Sequence, residues 1–180
     1  EQLGVEKRET DFYSYPHPFP AEQRPFWYVP TVRLNYRSTE GELNALLLRV
    51  DGIIRRRLDR KILVQAVSYE RAYALKARSC FGDIMIVHDP GKVAEAVERF
   101  RQASIPAILV SPAITHGHDL GMADCIIQPK LPWPNTQDAL TKRRVQADPE
   151  YAANLAMQAV VQGAGRINRD TSPPAMKEIL

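Results

Sequence analysis

A chain of 180 residues with 44% hydrophobic and 25% charged side chains has the size and apolar content of one globular domain with a substantial core. Its formal net charge of +3 allows a polyanionic partner without demanding one. Cys80 and Cys125 are the whole cysteine complement, with no CxxC pair, which excludes a disulfide framework and a thiolate metal cage; both read as buried small apolar residues in a reducing compartment. No run approaches the ~20 apolar residues that span a bilayer. Glu1, Glu6, Lys7, Arg8 and Glu9 are too charged for a signal peptide, so the expectation is a cytoplasmic protein with no membrane segment.

Residues 1–25 are rich in Pro, Tyr and Phe, and Pro16, Pro18, Pro20 and Pro25 are incompatible with a helix. They read as an extended lead-in packed on the surface of a domain spanning 26–180. Phe26-Trp27-Tyr28-Val29, continuing to Val32 and Leu34, reads as a first strand, with Pro30 marking an edge or a bulge. Ser38 or Thr39 then caps a helix, and Thr39 with Glu42 fits a capping box. Leu43, Leu46, Leu47, Val50 and Ile54 give that helix one buried face. Arg55, Arg56, Arg57, Arg60 and Lys61 complement the negative end of its dipole.

Residues 62–67 form a buried strand, followed by a helix over 69–78 capped by Ser68, and residues 84–87 are a second short apolar run. Asp89-Pro90 reads as the start of another helix, with Val93, Ala96, Val97, Phe100 and Ala103 on its inner face. Residues 107–110 and 125–127 are further strands, and Asp148-Pro149-Glu150 caps a long helix to about Arg169. At Lys177-Glu178-Ile179-Leu180 a strand-like run begins, which together with the missing initiator Met suggests an excised domain. Short apolar strands alternating with helices predict an α/β domain with a mostly parallel sheet. Ligands in such sheets bind beyond the carboxyl ends of the strands.

The segment Gln162-Gly163-Ala164-Gly165-Arg166-Ile167-Asn168-Arg169 carries the most chemistry. At helical spacing Gln162, Arg166 and Arg169 share one stripe. Two guanidiniums beside an amide suit a polyphosphate, whose oxygens accept from the guanidinium fork. Gly163 and Gly165 each cost about 1 kcal/mol in a helix relative to Ala and permit close approach of a backbone or a ligand. The same residues are also compatible with a plain helix end bearing favourable cations.

Gln162-x-x-Gly165-Arg166-x-x-Arg169 resembles motif VI of superfamily 2 helicases. About fifty residues upstream, Ser111-Pro112-Ala113-Ile114-Thr115-His116-Gly117-His118-Asp119-Leu120 resembles motif V of the XPD/DinG branch, with His116 where that branch has Glu. The strand and turn ending in Ser68-Tyr69 resemble motif IV, Pro18-Phe19-Pro20 with Arg24-Pro25 resembles the lead-in of the second motor domain, and Lys130-Leu131-Pro132-Trp133-Pro134 resembles the segment after motif V. The resemblance covers about 11–169. It implies a RecA-like fold, a mostly parallel central sheet with helices on both faces, acting as the C-terminal motor domain of an ATP-dependent DNA helicase. In that role Arg166 and Arg169 act as arginine fingers on ATP, Gln162, Gly165, Gly117 and Asp119 lie toward the nucleotide, and Ser68, Ser111, Thr115 and Trp133 contact single-stranded DNA.

A motor also needs a P-loop. Gly91-Lys92 is followed by Val93 and has Ile86 at the first Gly position, so it is a decoy. ATP and Mg²⁺ are therefore expected to be held mainly by an absent first RecA-like domain, and the isolated chain to be inactive. Two other readings stay open. One is a non-catalytic nucleic-acid-binding module with a degenerate helicase fold. The other is an unrelated doubly wound enzyme using His116, His118 or Asp119, which as a metal set lack a completing ligand at suitable spacing, so no metal site is assigned.

Overall fold

The computed structural model describes residues 11, 13, 15, 25–35, 37–114, 120, 123–165 and 178–180. Five strands, β1 (Lys61–Gln65), β2 (Met85–Ile86), β3 (Ala107–Ser111), β4 (Cys125–Ile127) and β5 (Glu178–Ile179), form one sheet in the order β2-β3-β1-β4-β5. All four pairings are parallel. Among the described residues five α-helices pack around it: α1 (Glu40–Arg55), α2 (Tyr69–Arg78), α3 (Val93–Gln102), α4 (Ala139–Ala147) and α5 (Tyr151–Ala164).

Strand side chains alternate between the two faces, and the core divides accordingly. Ile62, Val64, Ile108, Val110 and Cys125 pack with Val50 and Ile54 of α1 and Ala72 of α2. Leu63, Leu109 and Ile126 pack on the other face with Ala96, Val97 and Phe100 of α3 and Ala164 of α5. Parallel strands buried on both faces explain the near-continuous apolar runs. This is a RecA-like α/β arrangement, with helices on both faces of a parallel sheet.

Local chemistry sets the element ends. Thr39 Oγ1 accepts from the Glu42 N–H while Glu42 Oε2 accepts from the Thr39 N–H at 2.7 Å, so the expected capping box is present. Lys61 does not end α1 but opens β1, and its Nζ donates to the carbonyls of Phe100 and Arg101 at 3.0 and 2.7 Å, satisfying the carboxyl end of α3. Asp51, buried in α1, accepts from Ser79 Oγ and the Cys80 N–H and so ties the end of α2 to α1.

Several expectations are corrected. Residues 26–34 are not a strand: Phe26 makes one parallel bridge to Ile179 at the sheet edge, and the chain then leaves the sheet toward Pro30. Asp89-Pro90 does not start α3. The Lys92 N–H donates to the Asp89 carbonyl with Gly91 at φ +82, the type II turn that Pro-Gly favours, and the helix begins at Val93. Asp148 is the C-cap of α4, a helix the sequence reading passed over, and it also accepts the Glu150 N–H ahead of α5. α5 ends at Ala164 with Gly165 as its C-cap, and residues 166–169 lie outside the described residues. Cys125 is buried, but Cys80 is exposed. In the lead-in, Tyr13 and Tyr15 are exposed rather than packed. Among the described residues no helix is long and apolar enough to cross a membrane.

Candidate functional site

Because the strands are parallel, their carboxyl ends share one edge, and the residues just past the apolar runs line up there. Gln65 pairs with Ser111 in the β1–β3 register. The β1–β4 register runs to Val64 opposite Ile127, so the next pair is Gln65 and Gln128. His88 lies two residues beyond Ile86, the partner of Leu109. His88, Ser111, Gln65 and Gln128 thus form a polar row across the ends of β2, β3, β1 and β4. Gln65, Ser111 and Gln128 are each two residues beyond a side chain on the α3 and α5 face, so these three face that layer.

Hydrogen bonding fixes the polarity of the row. His88 Nδ1 is 2.9 Å from the Asp89 carbonyl oxygen, which only accepts, so Nδ1 carries the proton. In the neutral ring Nε2 is then an acceptor, and Ser111 Oγ, at 2.7 Å, donates to it. Ser111 Oγ also accepts the Ala113 N–H at 3.1 Å. The Tyr69 ring meets the imidazole edge-on at 5.6 Å. Gln128 Nε2 donates to the Lys130 carbonyl at 2.9 Å. Gln65, by contrast, is 7% exposed and its Nε2 has no partner among the described residues, a state that costs about 1–3 kcal/mol.

Above this row is a cleft of about 250 Å³. Gln65, Ser111 and Gln128 form its floor, Val67, Pro112 and Ala159 part of its wall, and Lys130, Pro132 and Trp133 its rim. Trp133 is 54% exposed, so it is not buried against its own loop. α5 closes one side: Ala159 lines the cleft, and Gly163, one turn on, lies against the Gln65 amide. That contact accounts for one of the two glycines. Among the described residues, a Cβ at Gly165 would meet only the carbonyls of Val161 and Gln162 in its own helix.

Of the residues singled out from the sequence, Ser111 and Trp133 meet in this cleft. Ser111 is 1% exposed, and its hydroxyl is paired with His88 and with the Ala113 N–H. Ser68, next to the cleft residue Val67, is the N-cap of α2 and accepts the Arg71 N–H at 3.2 Å. Gln162 is not in the cleft. It is exposed on the outer face of α5 beside Met157 and Val161, which are 55% and 58% exposed. Thr115, His116, Gly117, His118, Asp119, Arg166 and Arg169 lie outside the described residues. Gln65, His88 and Gln128 were missed, although Gln65 interrupts an apolar run and Gln128 ends one, where a polar residue in a buried register is a signal.

Among the described residues no three His, Cys, Asp or Glu side chains are grouped to hold a metal. The cleft is lined by one charged side chain, Lys130, and no carboxylate, so the described residues alone do not make a site for ATP with Mg²⁺. No model of a known protein family matches the chain, and no curated protein matches it either.

Proposed function

We propose that this chain is the second RecA-like motor domain of an ATP-dependent DNA helicase of the XPD/DinG type. In this reading Arg166 and Arg169 act on ATP and Mg²⁺ held mainly by a separate P-loop domain, and the cleft at Trp133 is part of the track for single-stranded DNA. The supporting observation is convergence. The segments resembling motifs IV and V leave the sheet at the ends of β1 and β3, adjacent strands paired at Gln65 and Ser111, and α5, leading into the segment resembling motif VI, lies on the same edge through Ala159 and Gly163. This is the edge where parallel α/β sheets bind ligands. Met157 and Val161, exposed beside Gln162, are the kind of apolar surface that a helix docking on another domain presents.

The test is DNA-stimulated ATP hydrolysis by a protein in which this chain follows a P-loop RecA-like domain. Arg166→Ala lowers turnover by about 10³ to 10⁵, the range for loss of an arginine finger. Near-normal turnover in that variant, or robust hydrolysis by the 180-residue chain alone, overturns the reading.

A further inference from the structure

α1 carries apolar side chains on two faces; one is buried in the core, and the other is covered by it only in part, at the half-buried Ile53. Val50 and Ile54 are buried against the sheet. A second stripe, Ala45, Leu48, Arg49, Gly52, Ile53 and Arg56, follows the spacing of a single helical face. It forms one wall of a groove of about 730 Å³ whose other wall is the extended segment at Trp27, Val29 and Val32. Leu48 is 72% exposed and Trp27 54% exposed. The groove shares no lining residue with the cleft at the carboxyl edge.

Gly52 is the informative residue. It lies within α1, where glycine costs about 1 kcal/mol relative to Ala. Neither packing nor backbone geometry among the described residues requires it: no atom of theirs comes within 4 Å of where its Cβ would stand, and it is not among the positive-φ residues. What the missing side chain leaves is an open floor between Leu48 and Arg56. Among the described residues of the lining, the charged side chains are all of one sign, Arg49, Arg56 and Arg57. Arg57 also donates to the Ile53 carbonyl.

We infer that this groove is a docking site for an acidic peptide segment of another protein. Apolar side chains of the segment occupy the floor over Gly52, between Leu48 and Ile53, and its carboxylates take the guanidinium forks of Arg49 and Arg56. A nucleic acid fits less well, because the floor is mainly aliphatic and a phosphodiester backbone has no aliphatic side chain to place in it.

The experiment measures binding of a fluorescently labelled peptide of alternating Asp and Phe to the full chain by anisotropy, at low and high salt. Saturable binding is expected, weakened by salt and lost when Ser replaces Phe in the peptide. Gly52→Ala keeps the floor open and retains binding, with a melting temperature equal to or above that of the unsubstituted chain. Gly52→Leu fills the floor and weakens binding by about tenfold or more at an undiminished melting temperature, as does Arg49→Glu with Arg56→Glu. Four outcomes overturn the proposal: no binding by the full chain, equal binding by the Gly52→Leu variant, binding that appears only after residues 1–24 are removed, or full displacement of the peptide by labelled oligo-dT. The first two leave no site, the third makes the chain's own segment the occupant, and the fourth makes the groove a nucleic-acid surface. None of them bears on the ATP-dependent reading.

Discussion

Gly163 of α5 lies so close to Gln65 at the end of β1 that a Cβ there would stand 2.7 Å from Nε2 and 2.8 Å from Oε1. Alanine would gain about 1 kcal/mol of helix propensity, but a Cβ at that distance forces the buried Gln65 amide to shift, and overpacking costs about 1–3 kcal/mol. Gly163→Ala is therefore expected to lower stability in urea denaturation, and Gln65→Ala in the same chain to recover most of the loss. Strict additivity of the two substitutions would show that they do not touch.

Ser111 and His88 form a second coupled pair. The carbonyl of Asp89 fixes the imidazole in the Nδ1–H tautomer, so the Ser111 hydroxyl has a defined acceptor. His88→Phe strands that hydroxyl and is expected to cost about 1–3 kcal/mol, and Ser111→Ala strands Nε2 with a similar penalty. Removing both strands neither the hydroxyl nor Nε2 and leaves only the Ala113 N–H without its acceptor, so the double variant should lose less than the sum of the singles. Nitrogen chemical shifts of the ring offer an independent check: an Nε2–H tautomer is incompatible with the bonding described.

At the start of α4, the Thr141 N–H donates to Asp138 Oδ2 at 2.8 Å and holds that carboxyl below the ordinary aspartate range. A carboxyl lowered in the folded state stabilises fully above its unfolded value, and the contribution fades as pH falls through the folded value. The amino end of α4 should therefore loosen only as pH drops below the usual aspartate range, seen as faster exchange of the Thr141 amide relative to those of α5. Asp138→Asn keeps a capping acceptor and should remove the pH dependence. Unchanged acid sensitivity in that variant would place its origin in another carboxyl.

Much of the scaffold was legible because its signals are local. Thr39 and Glu42 announce α1, Ser68 announces α2, and apolar runs announce β1, β3 and β4. The failures also have local causes. Asp89-Pro90-Gly91 carries both a helix-start and a turn signal, and the positive φ of Gly91 decides for the turn. α4 has no buried side chain, so no apolar periodicity marks it, and only its cap Asp138 could have done so. The cleft was less legible than the scaffold. Its row of His88, Ser111, Gln65 and Gln128 exists only through strand register, and the inward turn of the Ser111 hydroxyl depends on a histidine 23 residues away.

That inward turn separates two residues first assigned the same role. If the cleft is part of a single-strand track, Trp133, half-exposed at its rim, supplies a stacking surface, whereas the Ser111 hydroxyl has already given its proton to His88. Base stacking on an aromatic is worth about 1–3 kcal/mol per base. Trp133→Ala should therefore weaken binding of oligo-dT by roughly 5- to 150-fold, while Ser111→Ala changes affinity little and acts on stability instead. The measurement belongs at low salt, because one domain supplies only part of the phosphate contacts and screening removes what remains. The opposite ranking, with Ser111→Ala abolishing binding and Trp133→Ala leaving it intact, would mean that the hydroxyl turns outward in the complex and that the cleft binds backbone rather than base.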